Sequence, residues 1–448
     1  MTEQVRVSKT KQLRHLSGWR SFFSTFFHSQ STGGIVLFIC AVVALVIANT
    51  PSLKNLQEIW SIPMGLSFGN FSIKMSLLHW INDGLMAVFF FVVGLEIKRE
   101  MMVGELSSFK HAMLPFFAAI GGMIVPAVLY LVLNIGTETQ NGWGIPMATD
   151  IAFAIGVLAI LGKRCPLSLK IFLTALAIVD DLGAIVVLAV FYPSHELHYV
   201  YFIYALVVVV FLLILNRAKV HSVILYLIPG LLLWYFVYMS GIHATIAGVV
   251  LAATIPAKTA INEVRFSVRM RYFLDKFVEV SNSEVEVLAN SEQQTIIHNM
   301  DNEINKITPM MHLFESKLHP WVNFLIMPLF ALANAGVTFD FSLLTGTIPP
   351  IVYGILVGLV VGKPLGIFLF SLLVVKLKLA VLPEGSSWIQ LAAIGILGGI
   401  GFTMSIFIDN LAFSDPAIID IGKVAILGSS LLAAILGSFA IFLTSKKR

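Results

Sequence analysis

The chain has 448 residues, of which 58% are hydrophobic and 12% charged, where a soluble globular domain carries about 45–50% and about 25%. That balance excludes a water-soluble globular protein and points to lipid as the solvent. The formal net charge is only +4, and the two cysteines, Cys40 in an apolar run and Cys165 in a basic loop, provide no disulfide framework.

A basic tail, residues 1–32 with Arg6 to Arg20, precedes an apolar run at 33–49 with no A-x-A-like cleavage site after it. The run therefore reads as a first transmembrane helix and not as a removed signal. Further runs of about spanning length lie near 77–97, 111–134, 141–162, 167–191 and 198–216, then near 221–240, 241–256, 320–341, 351–376, 388–409 and 421–444. The sequence thus predicts an all-α polytopic membrane protein of about 12 transmembrane helices, with 33–448 forming one transporter domain.

Between these runs, Leu66 to Ser76 (L-S-F-G-N-F-S-I-K-M-S) alternates around a Gly-Asn turn and predicts a β-hairpin on the outer surface. A lone hairpin is marginal in water, so it is expected to pair with that of a second copy, giving a homodimer. The 257–319 insert places Arg265, Arg269, Arg271, Asp275 and Lys276 at helical spacing among apolar residues. It reads either as an amphipathic helix on the inner membrane surface or as a solvated linker.

Lys and Arg gather in alternate connections: Lys98, Arg99 and Lys110; Lys163 and Arg164; Arg217 and Lys219; the 257–319 segment; Lys376 and Lys378; and both tails. The opposite loops at 135–140, 192–197, 342–350 and 410–420 have none. Because basic residues stay on the cytoplasmic side, both termini are predicted to be cytoplasmic.

Asp150 falls near the middle of the fourth span, Asp180 and Asp181 halfway through the fifth, and Lys363 at the centre of the tenth. Each such group costs at least ~2.5 kcal/mol to insert, so the set is either a group of buried ion pairs joining helices or an ion site. Three acids against one lysine leave negative charge to be neutralised. Burial and like charge both favour a protonated carboxyl, so the site can hold protons or exchange them for a small cation. A hard ion such as Na⁺ takes oxygen ligands, which the carboxylates, the Thr149 hydroxyl and backbone carbonyls supply.

The backbone around these charges is interrupted. Gly142, Gly144 and Pro146 precede Asp150 in span four, and Gly398, Gly399 and Gly401 precede Thr403 in span eleven. Irregular backbone at membrane depth is tolerated only where protein or a water-filled cavity satisfies it. Spans three to five and ten to twelve each hold the interruption in the middle helix, and their spacing predicts two inverted three-helix repeats, as in secondary transporters.

Several stretches then occur in order: F-F-F-V-V-G-L-E-I-K-R-E (89–100), A-T-D-I-A-F-A-I-G-V-L-A-I-L-G (148–162), A-L-A-I-V-D-D-L-G-A-I (175–185), G-I-H-A-T-I-A-G (241–248), L-H-P-W (318–321), G-K-P-L-G-I (362–367) and G-I-G-F-T-M-S-I-F-I (399–408). Over nearly its full length the chain resembles the NhaA Na⁺/H⁺ antiporters, a family that is itself a standard example of the inverted-repeat architecture. The resemblance implies electrogenic exchange of internal Na⁺ or Li⁺ for external H⁺ across a bacterial inner membrane, serving Na⁺ and pH homeostasis, with no cofactor. It implies that Asp181 is the essential cation ligand with Asp150 and Thr149 beside it, and that Asp180 partners Lys363. It further implies that Lys363 and Asp150 compensate the opposed helix ends where the broken helices meet.

Glu96, Lys98, Arg99, Glu100, Glu315 and His319 resemble the family's pH-responsive cluster, or are an ordinary charged helix end. His243 either titrates near neutrality or serves as a cap or interface residue. Asp83 matches a family position and is given a supporting role. Ser316 departs from the pattern, standing where histidine is expected, and the insert is longer than the family's. An enzyme is not expected: the G-x-G-D pattern of intramembrane aspartyl proteases is absent, Lys363 would disturb a shared-proton dyad, and no phosphate-binding loop or H-E-x-x-H motif occurs. A channel would conduct without counter-transport.

Overall fold

The structure, a computed structural model, describes residues 30–68, 71–193, 197–281, 290–338 and 348–445. Helix dominates it, as lipid requires: a backbone with no water to bond must satisfy its own N–H and C=O groups. Eight helices are long and apolar enough to cross a membrane, or nine if one bent pair is a single span, among the described residues. Contacts divide the chain into two units, one of residues 1–89, 100–194 and 320–448, the other of 90–99 and 195–319.

The first unit opens with α1 (Gln30–Asn49) and a hairpin of β1 (Pro63–Phe68) and β2 (Phe71–Ser76). The strands pair antiparallel with Pro63 opposite Ser76 and Phe68 opposite Phe71. Pairing therefore begins three residues before the alternation visible from Leu66, because Pro63 and Gly65 carry no strand propensity of their own. The helix α2 (Leu77–Val103) follows and contributes to both units. Then come α3 (Phe109–Asn134), a tight helical stretch Gln140–Met147 leading into α4 (Ile151–Leu161), and α5 (Leu167–Phe191).

The second unit holds α6 (Tyr199–Arg217), α7 (Val223–Met239) and α8 (Thr245–Thr254), whose core includes Leu212, Tyr226, Leu233 and Ala247 together with Leu95 of α2. Lys98 donates to the carbonyls of Ala253 (2.7 Å) and Ile255 (2.5 Å), placing a cation at the C-terminal end of α8. The insert contains α9 (Glu263–Glu279) and α10 (Ser291–Ile307), leading into α11 (Met310–Trp321). The basic spacing read from sequence lies within α9. The second helix was not anticipated, since Ile296, Met300, Ile304 and Ile307 recur at helical spacing but among too many polar residues to stand out. Glu303, buried between the two helices, accepts from Arg269 (2.8 Å) and Lys306 (2.7 Å), which hold its carboxyl below the usual range, Lys306 more strongly.

The first unit resumes with α12 (Met327–Asn334), α13 (Pro350–Lys376), α14 (Trp388–Gly398), α15 (Phe402–Ala412) and α16 (Pro416–Thr444). The pair α14 and α15 is bent by 46° at the break. Where α3 crosses α13, a Cβ on Gly366 would lie 2.6 Å from the carbonyl carbon of Gly121. Only glycine allows this approach. A π turn at Gly358–Gly362 immediately precedes Lys363, and such turns occur often at functional sites.

Candidate functional site

Each broken span ends one helix and begins another at depth, exposing carbonyls at one end and N–H groups at the other. The two breaks meet: Asp150 N–H donates to Ile400 carbonyl at 2.7 Å. The Thr149 hydroxyl lies 2.6 Å from Asp180 Oδ2 and 3.0 Å from the Gly398 carbonyl, with a single hydrogen to serve both.

Asp150 caps α4, its Oδ1 accepting the Phe153 N–H at 2.9 Å. Its Oδ2 accepts from Thr403 at the start of α15, the N–H at 3.1 Å and the hydroxyl at 2.5 Å. One carboxylate thus faces two helix N-termini, where the helix dipole favours negative charge. Lys363 answers at one opposite end: its ammonium donates to the Met147 carbonyl, closing the Gln140–Met147 stretch, and also to Asp180 Oδ2 at 2.5 Å. Asp181, next along α5 and about 100° around the axis, is buried and within electrostatic reach of Lys363. Thr149, Asp150, Asp180, Asp181, Lys363 and Thr403 are all at most 1% exposed.

This is a site of carboxylate, hydroxyl and carbonyl oxygens with one ammonium, suited to a hard cation or protons. Among the described residues no group of three or more His, Cys, Asp or Glu side chains is arranged to hold a metal ion. A cavity of about 610 Å³, lined by Glu100, Glu105, His111, Lys170, Thr174 and Ile178 among others, reaches α5 one turn short of Asp181.

A family model described as Na⁺/H⁺ antiporter 1 matches residues 24–441. The chain belongs to that family. It is 46% identical over 427 residues to a protein of Wolinella succinogenes named Na⁺/H⁺ antiporter NhaA, spanning 95% of this chain and 93% of that protein. Proteins of the same name from Helicobacter acinonychis and Helicobacter pylori strain G27 are 47% and 46% identical over 424 residues, 94% of this chain and 95% of each. With its many apolar helices, this member of the Na⁺/H⁺ antiporter family is a membrane-embedded protein.

Within this antiporter-family chain, Thr149, Asp180 and Lys363 come together as a bonded set, while Asp150 bonds to Phe153 and Thr403. The Thr149 hydroxyl bonds to Asp180. Sequence reasoning did not single out Thr403 or the Met147, Gly398 and Ile400 carbonyls. Thr403 and Asp150 are 253 residues apart. The available signal was a hydroxyl residue just after a glycine-rich break, where a helix restarts.

Four of the pH-response candidates form one cluster in the second unit. Arg99 pairs with Glu315, and His319 Nδ1 lies 3.3 Å from Glu96 Oε1. The bond to Glu96 raises the His319 pKa, against burial. Burial raises the Glu315 carboxyl, against the pull of Arg99. Glu100 instead accepts the Glu105 N–H at 3.1 Å, and His243 is buried in the turn before α8. Ser316 is exposed, and its hydroxyl bonds back to the Leu313 carbonyl at 3.2 Å. Asp83 sits half-buried in a π turn of α2, beside Asn82, which exchanges hydrogen bonds with Asn334.

Proposed function

We propose that this chain is an electrogenic Na⁺/H⁺ antiporter, exchanging internal Na⁺ or Li⁺ for external H⁺ and serving sodium and pH homeostasis in a bacterial inner membrane. The observation that carries this is the buried arrangement of Asp150 at two helix starts beside the Asp180–Lys363 pair. The names of the relatives support the same ions. Na⁺ is bound by Asp150, Asp181 and the Thr149 hydroxyl, and the carboxyl that takes it must first release its proton. Since one set of carboxylates cannot be neutralised by both ions together, loading one requires losing the other. If Lys363 gives up a proton as its pairing with Asp180 changes, more than one H⁺ moves per Na⁺ and charge crosses the membrane.

The architecture we propose has twelve spans: the long helices, the bent pair, α7, α8 and the apolar stretch ending in α12. Spans three to five and ten to twelve are inverted repeats that rock about the crossing to alternate access. Both termini, including the 1–32 tail, face the cytoplasm with the 257–319 insert, and the outer hairpin joins two copies. Glu96, Arg99, Glu315 and His319 respond to pH, with lesser roles for Glu100 and His243, and Asp83 supports span two. The function is tested in everted membrane vesicles, where added Na⁺ is expected to drive protons out and Asp181→Asn to abolish the movement. Exchange retained by that variant would remove the site from the mechanism.

A further inference from the structure

Asp409 stands outside the site described above. It lies in α15 six residues beyond Thr403, about 9 Å along the axis at 1.5 Å per residue. The side chain is 0% exposed, and neither carboxyl oxygen has a hydrogen-bond partner among the described residues. It is pressed against α16 at Gly422, where an added Cβ would come within 2.8 Å of its Cγ and Oδ2. The titratable groups facing it are Asp420 and Lys423 of α16 and Tyr130 of α3. The Tyr130 hydroxyl is committed to the Thr139 carbonyl at 2.8 Å, and no ion pair joins Asp409 to Lys423 among the described residues.

An ionised carboxylate placed here would lose its hydration and gain no donor, whereas a neutral acid loses far less. Buried acids elsewhere in the chain are treated differently: Asp150 accepts three hydrogen bonds and Asp180 holds an ammonium. We propose that Asp409 is a further proton-binding site, holding one proton against Gly422 and releasing it to the outer side when α15 shifts along α16. The proton leaves to water, and the carboxylate left behind is balanced by the Lys423 ammonium, one position past Gly422. The outward direction and the movement of α15 rest on the antiport reading above. The proton itself rests on the burial and bonding of Asp409 alone.

The test is the pH-difference infrared spectrum of the full-length protein in lipid. The expected result is a carboxylic C=O band at the non-hydrogen-bonded end of its range, present at acidic pH, lost at alkaline pH and missing from Asp409→Asn. Absence of that band, or its persistence in the variant, overturns the proposal. If the variant fails to accumulate, the wild-type chain is labelled with a hydrophobic carbodiimide, which captures protonated carboxyls in apolar surroundings. Modification at Asp409 by mass spectrometry should then fall at least tenfold from acidic to alkaline pH; no modification, or none that varies with pH, overturns it. Neither readout requires transport, so failure of the antiport reading is recognised separately by the vesicle assay.

Discussion

Lys363 and Asp180 form an ion pair at 2.5 Å with neither side chain exposed, and the same ammonium takes up the carbonyl of Met147. A buried pair gains little over apolar packing, but removing one partner strands the other charge at a cost of about 3–5 kcal/mol. Lys363→Ala should therefore lower the thermal stability of the purified protein by that order. The double variant Lys363→Met with Asp180→Asn, which strands no charge, should recover most of it. Additive losses in a double-mutant cycle would mean that the two groups are not coupled.

Thr403 holds Asp150 through both its N–H and its hydroxyl. A hydrogen bond to a charged group is worth about 1.5–3 kcal/mol, so Thr403→Val should change the apparent Na⁺ affinity by about ten- to hundredfold. Thr403→Ser should restore it. Na⁺-dependent transport rates across a concentration series measure this, and an unchanged half-saturation in the valine variant would show that the hydroxyl only packs.

The Glu96 bond lifts the His319 pKa above its ordinary 6.5, so the folded state binds that proton more tightly than the unfolded chain. The stabilisation is complete below about 6.5 and disappears as pH climbs through the higher folded value. The raised carboxyl of Glu315 acts in the same sense, favouring the folded state below its ordinary 4.5 and declining as pH rises through its folded value. Glu96→Gln should move the His319 loss to lower pH. Melting temperature against pH, for wild type and variant, is the check. If the cluster also sets the response of transport, the activation profile should move to lower pH with it.

The base of the insert is closed by two backbone bonds, Met311 N–H to Pro256 carbonyl at 3.3 Å and Ala260 N–H to Lys306 carbonyl at 3.0 Å. Its ends are thus near each other, and a short Gly/Ser linker can replace residues 260–306 without stretching the chain. The excised protein should insert in the membrane and keep Na⁺-driven proton movement in proteoliposomes. Loss of assembly would show that α9 and α10 are part of the folded core of their unit.

The apolar runs, the paired strands of the hairpin and the glycine-rich breaks were legible because each is a local pattern with a local physical cause. The charged residues of the site were legible for the opposite reason: Asp150, Asp180, Asp181 and Lys363 conflict with their surroundings. What escaped was the pairing across the fold. Thr403 carries no unusual feature until Asp150 is placed beside it, and the Met147 carbonyl is a backbone group that sequence cannot mark. The helix α10 escaped because its apolar stripe is thin, and Asp409 because it sits near the end of an apolar run, where an acid raises no conflict until its burial is known.

The central claim, that Na⁺ and H⁺ exclude one another from the Asp150 and Asp181 carboxylates, is tested most directly by adding Na⁺ to purified protein in weakly buffered solution and recording proton release. The account predicts release that saturates with Na⁺ and is lost in Asp181→Asn. Saturable Na⁺ binding with no proton release would contradict it.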